Sequence, residues 1–470
     1  MLKAIEQDRL SMAELSDVPL AVSVARVGQA VVNPKTPEDI EVMVNWARGK
    51  SVKLGTSSSS AQSNAPLADL GTIDVLMDLS DMNKVFHVDP DDGVAIIEAG
   101  VTFADVDKVL APQGLRAMKP LLPAAGKSVL ASYIEREPLT ITREQWDVLD
   151  PMGSAQIIFG SGERFYTGNA ANQGSMEEHW KSGLRYMTAT GPVGTDFLRV
   201  MQGSQGTLGV LTWSAIFCDR IPVAEQSFFI ADNDQDKLIS VMAELNYRRI
   251  GSEIFLSNKT HLATVAKACG KSIDAAALPE WVLFANFSAN CDLSEDRVAF
   301  EVSDLNDITN NAGVKPVVEL SGFAASDVIA AHANLPTGDY RDGPTGGHRS
   351  VVFLTQADRT PGFVKIARDL AGKHGVNPND LATYIQPRLQ GRNCSIEIML
   401  LTDAGNAGKA DAFVVELAQA TCDAGGFYSR PYGDWTDMAY EKNPELVPYL
   451  RHCKSMFDPD GILHPGRLGL

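Results

Sequence analysis

Apolar residues three and four apart first fall into step at Ile40, Met43, Val44 and Ala47, the spacing of one helix face. Thr36-Pro37-Glu38-Asp39 supplies the start of that helix. Thr36 can cap, Pro37 suits the first turn, and the two acids favour the positive end. The period then shortens. Ser51 to Leu54 reads as a short strand running into a loop of small residues, Gly55 to Ser60. Val75–Leu79, Val85–Val88 and Gly93–Val101 read as further strands. Asp89-Pro90-Asp91-Asp92-Gly93 is a turn, since Pro presets φ, Gly allows positive φ, and the ligand pattern of a calcium loop is missing. Thr102 caps a helix carrying Phe103, Val106 and Leu110, which Gly114 ends. Gln156–Phe159 and Arg164–Tyr166 predict a hairpin turning at Gly162.

From about Ile221 the pattern changes. Strand-like runs at 228–230, 282–284, 351–354 and 396–399 alternate with amphipathic helices near 235–245, 361–374 and 409–424. This predicts an α+β lobe with helices on one face of a largely antiparallel sheet. The last thirty residues read as a helix and a turn-rich tail.

Charge and cysteines narrow the function classes. The 470 residues carry a net charge of -18, which argues against nucleic acid and anionic membrane surfaces. The six cysteines form no C-x-x-C, so neither a zinc nor an iron–sulfur site is expected. Scattered thiols suit a reducing, cytoplasmic setting. The start MLKAIEQDRL has no apolar signal core, and no stretch reaches the roughly 18 apolar residues of a membrane span.

Four segments carry candidate chemistry. Gly55-Thr56-Ser57-Ser58-Ser59-Ser60 offers backbone N–H groups, hydroxyls and room for a pyrophosphate; the plainer alternative is a polar loop. Gly126 to Ser132 is again small, and Glu135-Arg136-Glu137 follows it; a helix start with exposed charges would look the same. Gly203-Ser204-Gln205-Gly206-Thr207-Leu208-Gly209 is G-x-x-G-x-x-G and precedes a strand, so it is not a Rossmann loop. Asp458 to Arg467 is a pair of turns.

In this order the segments resemble the vanillyl-alcohol oxidase type of FAD-binding protein, with VMQGSQGTLGVLT and DPDGILHPGRLG the most specific pieces. The resemblance covers about the first 220 residues and the tail. It implies a two-part FAD-binding domain over residues 1–222, completed by residues 440–470, and a substrate or cap domain over residues 223–439. It also implies that Gly55, Thr56, Ser57, Ser58, Ser59 and Ser60 hold the pyrophosphate. Ser128, Val129, Ser132, Gly206, Thr207, Gly209, Val210 and Arg467 are the other expected cofactor-binding positions.

Within the family the chain is most similar to aryl-alcohol and cresol-type enzymes. That implies an FAD-dependent oxidoreductase, an oxidase or dehydrogenase, taking hydride from an alcohol or benzylic carbon to flavin N5. Counting back from Tyr166-Thr167-Gly168, Asp147 falls where those enzymes keep a carboxylate, with Asp150 a second choice. Arg430 and Tyr428, or Tyr432, match their substrate-orienting pair, with Arg388 and Arg392 behind them.

Two departures matter. The strand entrance Gly391-Arg392-Asn393-Cys394-Ser395 lacks the histidine that tethers FAD in many relatives, so this flavoprotein is expected to bind FAD non-covalently, a Cys394 thioether being a remote alternative. Ala61 or a neighbour stands where relatives carry a phenol-binding tyrosine. The alternatives are a 2-hydroxy-acid dehydrogenase of the lactate or glycolate kind, which an arginine-rich pocket would favour, and a non-catalytic flavin-binding subunit. No G-D-G-N-x-H run of the metal-linked hydroxy-acid enzymes is present, and His348 reads as structural. A small organic substrate and an acceptor (oxygen, a quinone, a cytochrome or a partner flavoprotein) are the expected partners, with self-association left open.

Overall fold

The computed structural model describes residues 17–24, 30–59, 72–143, 145, 147, 150–342, 346–403 and 407–470. The first sheet runs β1 (Val22–Val24), β2 (Ala30–Val32), β4 (Val75–Asp78), β3 (Leu54–Ser57). Helix α1 (Pro37–Lys50) begins as its sequence dictates: Thr36 Oγ1 accepts from the Asp39 N–H at 3.2 Å and Asp39 Oδ2 accepts from the Thr36 N–H at 3.0 Å. Its buried face packs on this sheet together with Ile462 and Leu463 of the distant tail.

The small-residue segment differs from the expected loop. Gly55, Thr56 and Ser57 lie inside β3, in parallel register with Leu76, Met77 and Asp78. A ladder needs only backbone groups, so a side-chain-poor stretch completes it as readily as an apolar one. Of the described residues in the segment, only Ser58 and Ser59 follow the strand; Ser60 and Ala61 lie outside the described residues.

A second sheet follows, built on β5 (Val85–Asp89), β6 (Val94–Glu98), β7 (Leu115–Ala117), β8 (Met152–Phe159), β9 (Arg164–Tyr166) and the long β10 (Gly209–Arg220). Two helices interrupt it, α2 (Phe103–Leu110), capped by Thr102, and α3 (Val129–Ile134), capped by Ser128. The hairpin turns at Gly162, whose φ is +83°.

The third sheet is the cap, and every pairing in it is antiparallel. Its order is β14 (Pro316–Val317), β11 (Ala224–Asp232), β13 (Trp281–Ala289), β12 (Glu253–Asn258), β18 (Leu381–Arg388), β19 (Asn393–Thr402), β17 (Gly347–Thr355); β15 (Glu319–Leu320) and β16 (Phe323–Ala324) form a separate hairpin. The helices are α4 (Met176–Lys181), α5 (Phe197–Met201), α6 (Gln235–Arg248), α7 (Lys259–Ala268), α8 (Ser294–Ala312), α9 (Ala325–Ala333), α10 (Thr360–His374), α11 (Ala407–Asp423), α12 (Trp435–Glu441) and α13 (Leu446–Phe457).

Helices on one face were expected; the sheet is covered on both. α6, α8, α10 and α11 bury one face through residues such as Leu238, Leu305, Phe363 and Phe413. On the other face Leu262 of α7 and Val328 of α9 pack with Leu121 and Leu122 of the first lobe. Strand alternation therefore hands one side of the cap sheet to its own core and the other to the lobe interface. Arg116 fixes that interface. Its guanidinium reaches Asp219 at 2.7 Å in its own lobe and the buried Glu253 of the cap at 3.0 Å.

Candidate functional site

The four small-residue segments converge. The Thr56 N–H donates to His464 Nε2 at 2.8 Å, with Thr56 Oγ1 on the same nitrogen at 2.9 Å. His464 is buried; desolvation, with Arg467 and Lys454 near, holds its imidazole well below its usual pKa, so Nε2 is a neutral acceptor. Gly206 lies against it: a Cβ there would sit 2.8 Å from His464 Cδ2 and 3.2 Å from Thr56 Oγ1. The tail is held down by buried Lys454, whose Nζ donates to Thr207 O at 2.6 Å, Leu463 O at 2.6 Å and Asp458 Oδ2 at 2.7 Å. Asp458 in turn accepts from the Ile462 and Leu463 N–H groups. Arg467 Nη1 donates to Gln205 O at 3.2 Å. The second segment joins from α3, where the Gly203 N–H donates to Ile134 O at 2.9 Å. A Cβ at Gly203 would collide with the Arg136 guanidinium at 2.0 Å. The result is a cradle with two glycines at positive φ, Gly203 at +74° and Gly206 at +78°, where a side chain would be strained, hydroxyl donors from Thr56 to Ser59, and cationic Arg467 beside it. That donor set fits a dinucleotide pyrophosphate.

Next to this cradle lies a nest of three arginines. Arg388 ends β18 and is 2% exposed, yet its Nε and Nη2 meet no partner among the described residues. Arg430 is buried and Arg136 half-buried. Burial, reinforced by Arg430 and Arg136, pulls the Arg388 guanidinium down to about 9, and burial with Arg430 likewise lowers Arg136. The three charges are thus mutually close. Two carboxylates accompany them and are driven apart. Burial raises Glu135, which is still partly accessible to solvent. Burial also works to raise Glu137, but Lys127 and Arg430, with the hydrogen bonds from Lys127 and Ser132, together outweigh it and hold that carboxyl low. Glu137 is bound by Lys127 Nζ and by Ser132 Oγ, the latter at 2.7 Å.

A cavity of about 280 Å³ opens between the lobes. One wall is Pro120 to Ala124 with Lys127, Glu137 and Pro138; the other is residues 337–342 with Val352, Tyr384, Ser395 and Glu397; Arg430 also borders it. Among the described residues no cluster of His, Cys, Asp and Glu could hold a metal ion.

Residues 28–134 match the FAD binding domain family, and residues 355–468 match the C-terminal domain of the FAD linked oxidases. This chain is an FAD-linked oxidoreductase. The oxidoreductase is 21% identical to the D-2-hydroxyglutarate dehydrogenase of Stutzerimonas stutzeri strain A1501, over 93% of this chain and 90% of the relative. In fold it resembles p-cresol methylhydroxylase with substrate bound, at TM-score 0.77 and 17% identity over 94% and 88% of the two chains. It is similarly close to the 4-ethylphenol oxidase of Gulosibacter chungangensis, at TM-score 0.76 and 18% identity over 94% and 89%. FAD is its cofactor, and among the described residues no helix is long and apolar enough to cross a membrane.

The expected site residues of the oxidoreductase fall into three groups. Gly55, Thr56, Gly206, Thr207 and Arg467 meet at the cradle, and Ser57 Oγ donates to Ser59 O at its edge, beside Ser58. Ser128, Val129, Ser132, Gly209 and Val210 build its frame. Ser128 Oγ donates to Ala99 O at 2.6 Å, Val129 and Val210 are core, and a Cβ at Gly209 would meet Ile158 O at 2.9 Å. Arg430 borders the cavity. Tyr428 sits in the cap core, its hydroxyl shared with Thr421 Oγ1 at 2.7 Å and donating to Ala418 O at 3.1 Å. Asp147 is partly solvated and ion-paired with exposed Arg199, off the cavity walls. Its N–H donates to Asp150 at 2.8 Å. Glu135 and Arg136 were visible in the sequence only as part of a charged triplet that could equally be exposed, and the 339–341 wall carries no sequence signal. A charged triplet after a helix carries no pattern, and Arg388 needed the strand alternation Tyr384, Gln386, Arg388 to stand out.

Proposed function

We propose that this protein oxidises a 2-hydroxy acid, as an FAD-linked dehydrogenase or oxidase, rather than a simple or benzylic alcohol. The observation that carries the reading is the buried arginine nest, above all Arg388, whose desolvated donors lack a partner. A buried polar group without a partner is costly, and a planar carboxylate satisfies a guanidinium fork in two places at once. The Stutzerimonas relative, a D-2-hydroxyglutarate dehydrogenase, supports the same class.

Arg388 and Arg430, with Arg136 behind them, grip the substrate carboxylate and so fix the adjacent hydroxyl-bearing carbon. Bound FAD supplies the hydride acceptor. Glu135, the carboxyl whose pKa is raised, takes the hydroxyl proton, while Glu137 stays ionised on Lys127. The Pro120–Ala124 wall of the cavity limits the access of water to the bound substrate. Asp147 is assigned no step, because Arg199 already neutralises it; Asp147→Asn is expected to leave the reduction rate within a few-fold.

FAD is held without a covalent bond. Cys394 packs on the cap-core face of β19, opposite to Ser395 and Glu397, and burial pushes its thiol up to about 12. A yellow supernatant after acid precipitation is the expected result. Anaerobic mixing tests the substrate class: hydroxy acids should bleach the flavin, and 4-hydroxybenzyl alcohol should not. Bleaching by the benzyl alcohol alone would overturn the proposal.

A further inference from the structure

The lobe-facing side of the cap sheet carries an axis of charge. Arg388, Gln386 and Tyr384 alternate along β18 onto one face, and their register partners on β19 are Asn393, Ser395 and Glu397. Arg388 stands at the cationic end. Four residues on, at about 3.3 Å each or roughly 13 Å, stand Tyr384 and Glu397. The acidic end is completed by the 339–341 loop. Arg341 clamps Asp339 through two bonds, 2.8 and 2.6 Å, and lies 3.4 Å from Glu397. Two carboxylates thus face one guanidinium there. Burial works to raise Asp339, but Arg341 holds it well below the usual carboxylate range, so it is ionised. Asp342 adds a further acid beside His348 at 3.0 Å. Of the other cations on the cavity wall, Lys127 is bonded to Glu137, and Arg430 belongs to the arginine nest at the cationic end. Gln386 and Ser395 lie between the two ends, and the cavity facing this strand pair also carries the apolar Leu121, Leu122 and Pro138.

From this geometry we infer that the site selects hydroxy acids whose far end bears a hydrogen-bond donor, an ammonium or hydroxyl group, and rejects a second carboxylate. The inference rests on the hydroxy-acid reading. It adds that Glu397 sets the choice at the tail, with Tyr340 and Tyr384 beside it. A tail carboxylate would meet uncancelled negative charge in a desolvated pocket. A tail ammonium is attracted to the same charge, and a hydroxyl donates to it.

The test uses holoenzyme and a chain of about six carbons, a length that leaves room for the side chains within the strand span. Hexanoate, 6-aminohexanoate and adipate lack the hydroxyl and cannot be oxidised; their binding is read as a perturbation of the flavin spectrum. Their 2-hydroxy counterparts are read by anaerobic flavin reduction. In the wild type, 6-amino-2-hydroxyhexanoate should exceed 2-hydroxyadipate in kcat/KM by roughly tenfold or more, and 6-aminohexanoate should bind tighter than adipate by a similar factor. Glu397→Gln keeps the shape and removes one charge, so it should narrow both ratios about tenfold while hexanoate binding holds. A wild type that prefers the dicarboxylates, or a Glu397→Gln protein with both ratios unchanged, overturns the inference. If no hydroxy acid reduces the flavin but the inert acids bind in the expected order, the hydroxy-acid reading fails and the charge axis stands.

Discussion

Replacing Arg388 with Met should make this protein more stable and nearly inactive. Arg388 is 2% exposed, and folding pulls its guanidinium down to about 9, mainly through burial. At about 1.36 kcal/mol per tenfold change in proton affinity, this fall sets an upper bound of roughly 5 kcal/mol on the cost of holding the charge. At pH 7 the folded and unfolded chains both keep the proton, so this cost is present in full. Above about 9 the folded protein releases the proton while the unfolded chain retains it, and the cost is recovered as pH rises toward the ordinary guanidinium range. Met fills much of the same volume without charge. Exchanges of buried ionic groups for apolar ones commonly gain about 1–4 kcal/mol, so a rise of a few degrees in melting temperature is expected at pH 7, shrinking at alkaline pH. Catalysis should move the other way. Removing one partner of a desolvated charge pair costs about 2–5 kcal/mol, or roughly 30- to 3,000-fold in kcat/KM at about 1.4 kcal/mol per tenfold. Differential scanning calorimetry and stopped-flow flavin reduction measure the two effects. A variant that melts lower and reduces its flavin at an unchanged kcat/KM would refute the reasoning.

Three further outcomes follow from other sites. Gly206→Ala, at φ +78° and with His464 at 2.8 Å from the new Cβ, should release FAD on gel filtration and lower the bound-flavin ratio while the far-ultraviolet circular dichroism is retained. Glu135→Gln should lower kcat by about 10²–10⁴-fold with little change in KM, and should erase an acid limb that in the wild type lies above the ordinary carboxylate pKa of about 4.3. His261 and His332, both pushed by burial down to about 3, stay neutral when folded but protonate when unfolded. Their contribution to stability is complete above about 6.5 and drains away as pH falls toward 3, so His332→Gln should flatten the loss of melting temperature between those limits.

Local chemistry made the first lobe legible. Thr36 and Thr102 cap where a hydroxyl before an apolar face says they should, and Gly162 turns its hairpin. The cofactor cradle was readable for a related reason: glycine and serine are needed where chain passes close to chain, as at Gly206 against His464. At the substrate end Arg430 and Arg388 stood among the expected residues, but their grouping with Arg136 did not: a cap strand, the segment between α11 and α12, and the end of α3 are folded onto one another, and no spacing along the chain encodes that. Tyr428 shows the converse: a tyrosine beside a site arginine looked functional, but its alternate position turns the hydroxyl toward Thr421 and the cap core. Gly55 to Ser57 looked like a loop because composition hides the ladder they complete with β4.

The bond between Thr56 and His464 joins positions 408 residues apart. A growing polypeptide leaving the ribosome must therefore produce both lobes before the two halves of this grip can meet. If the cradle holds the flavin as proposed, loading is expected only after the C-terminal tail has emerged, and a product truncated before Asp458 is expected to lack bound flavin on absorbance.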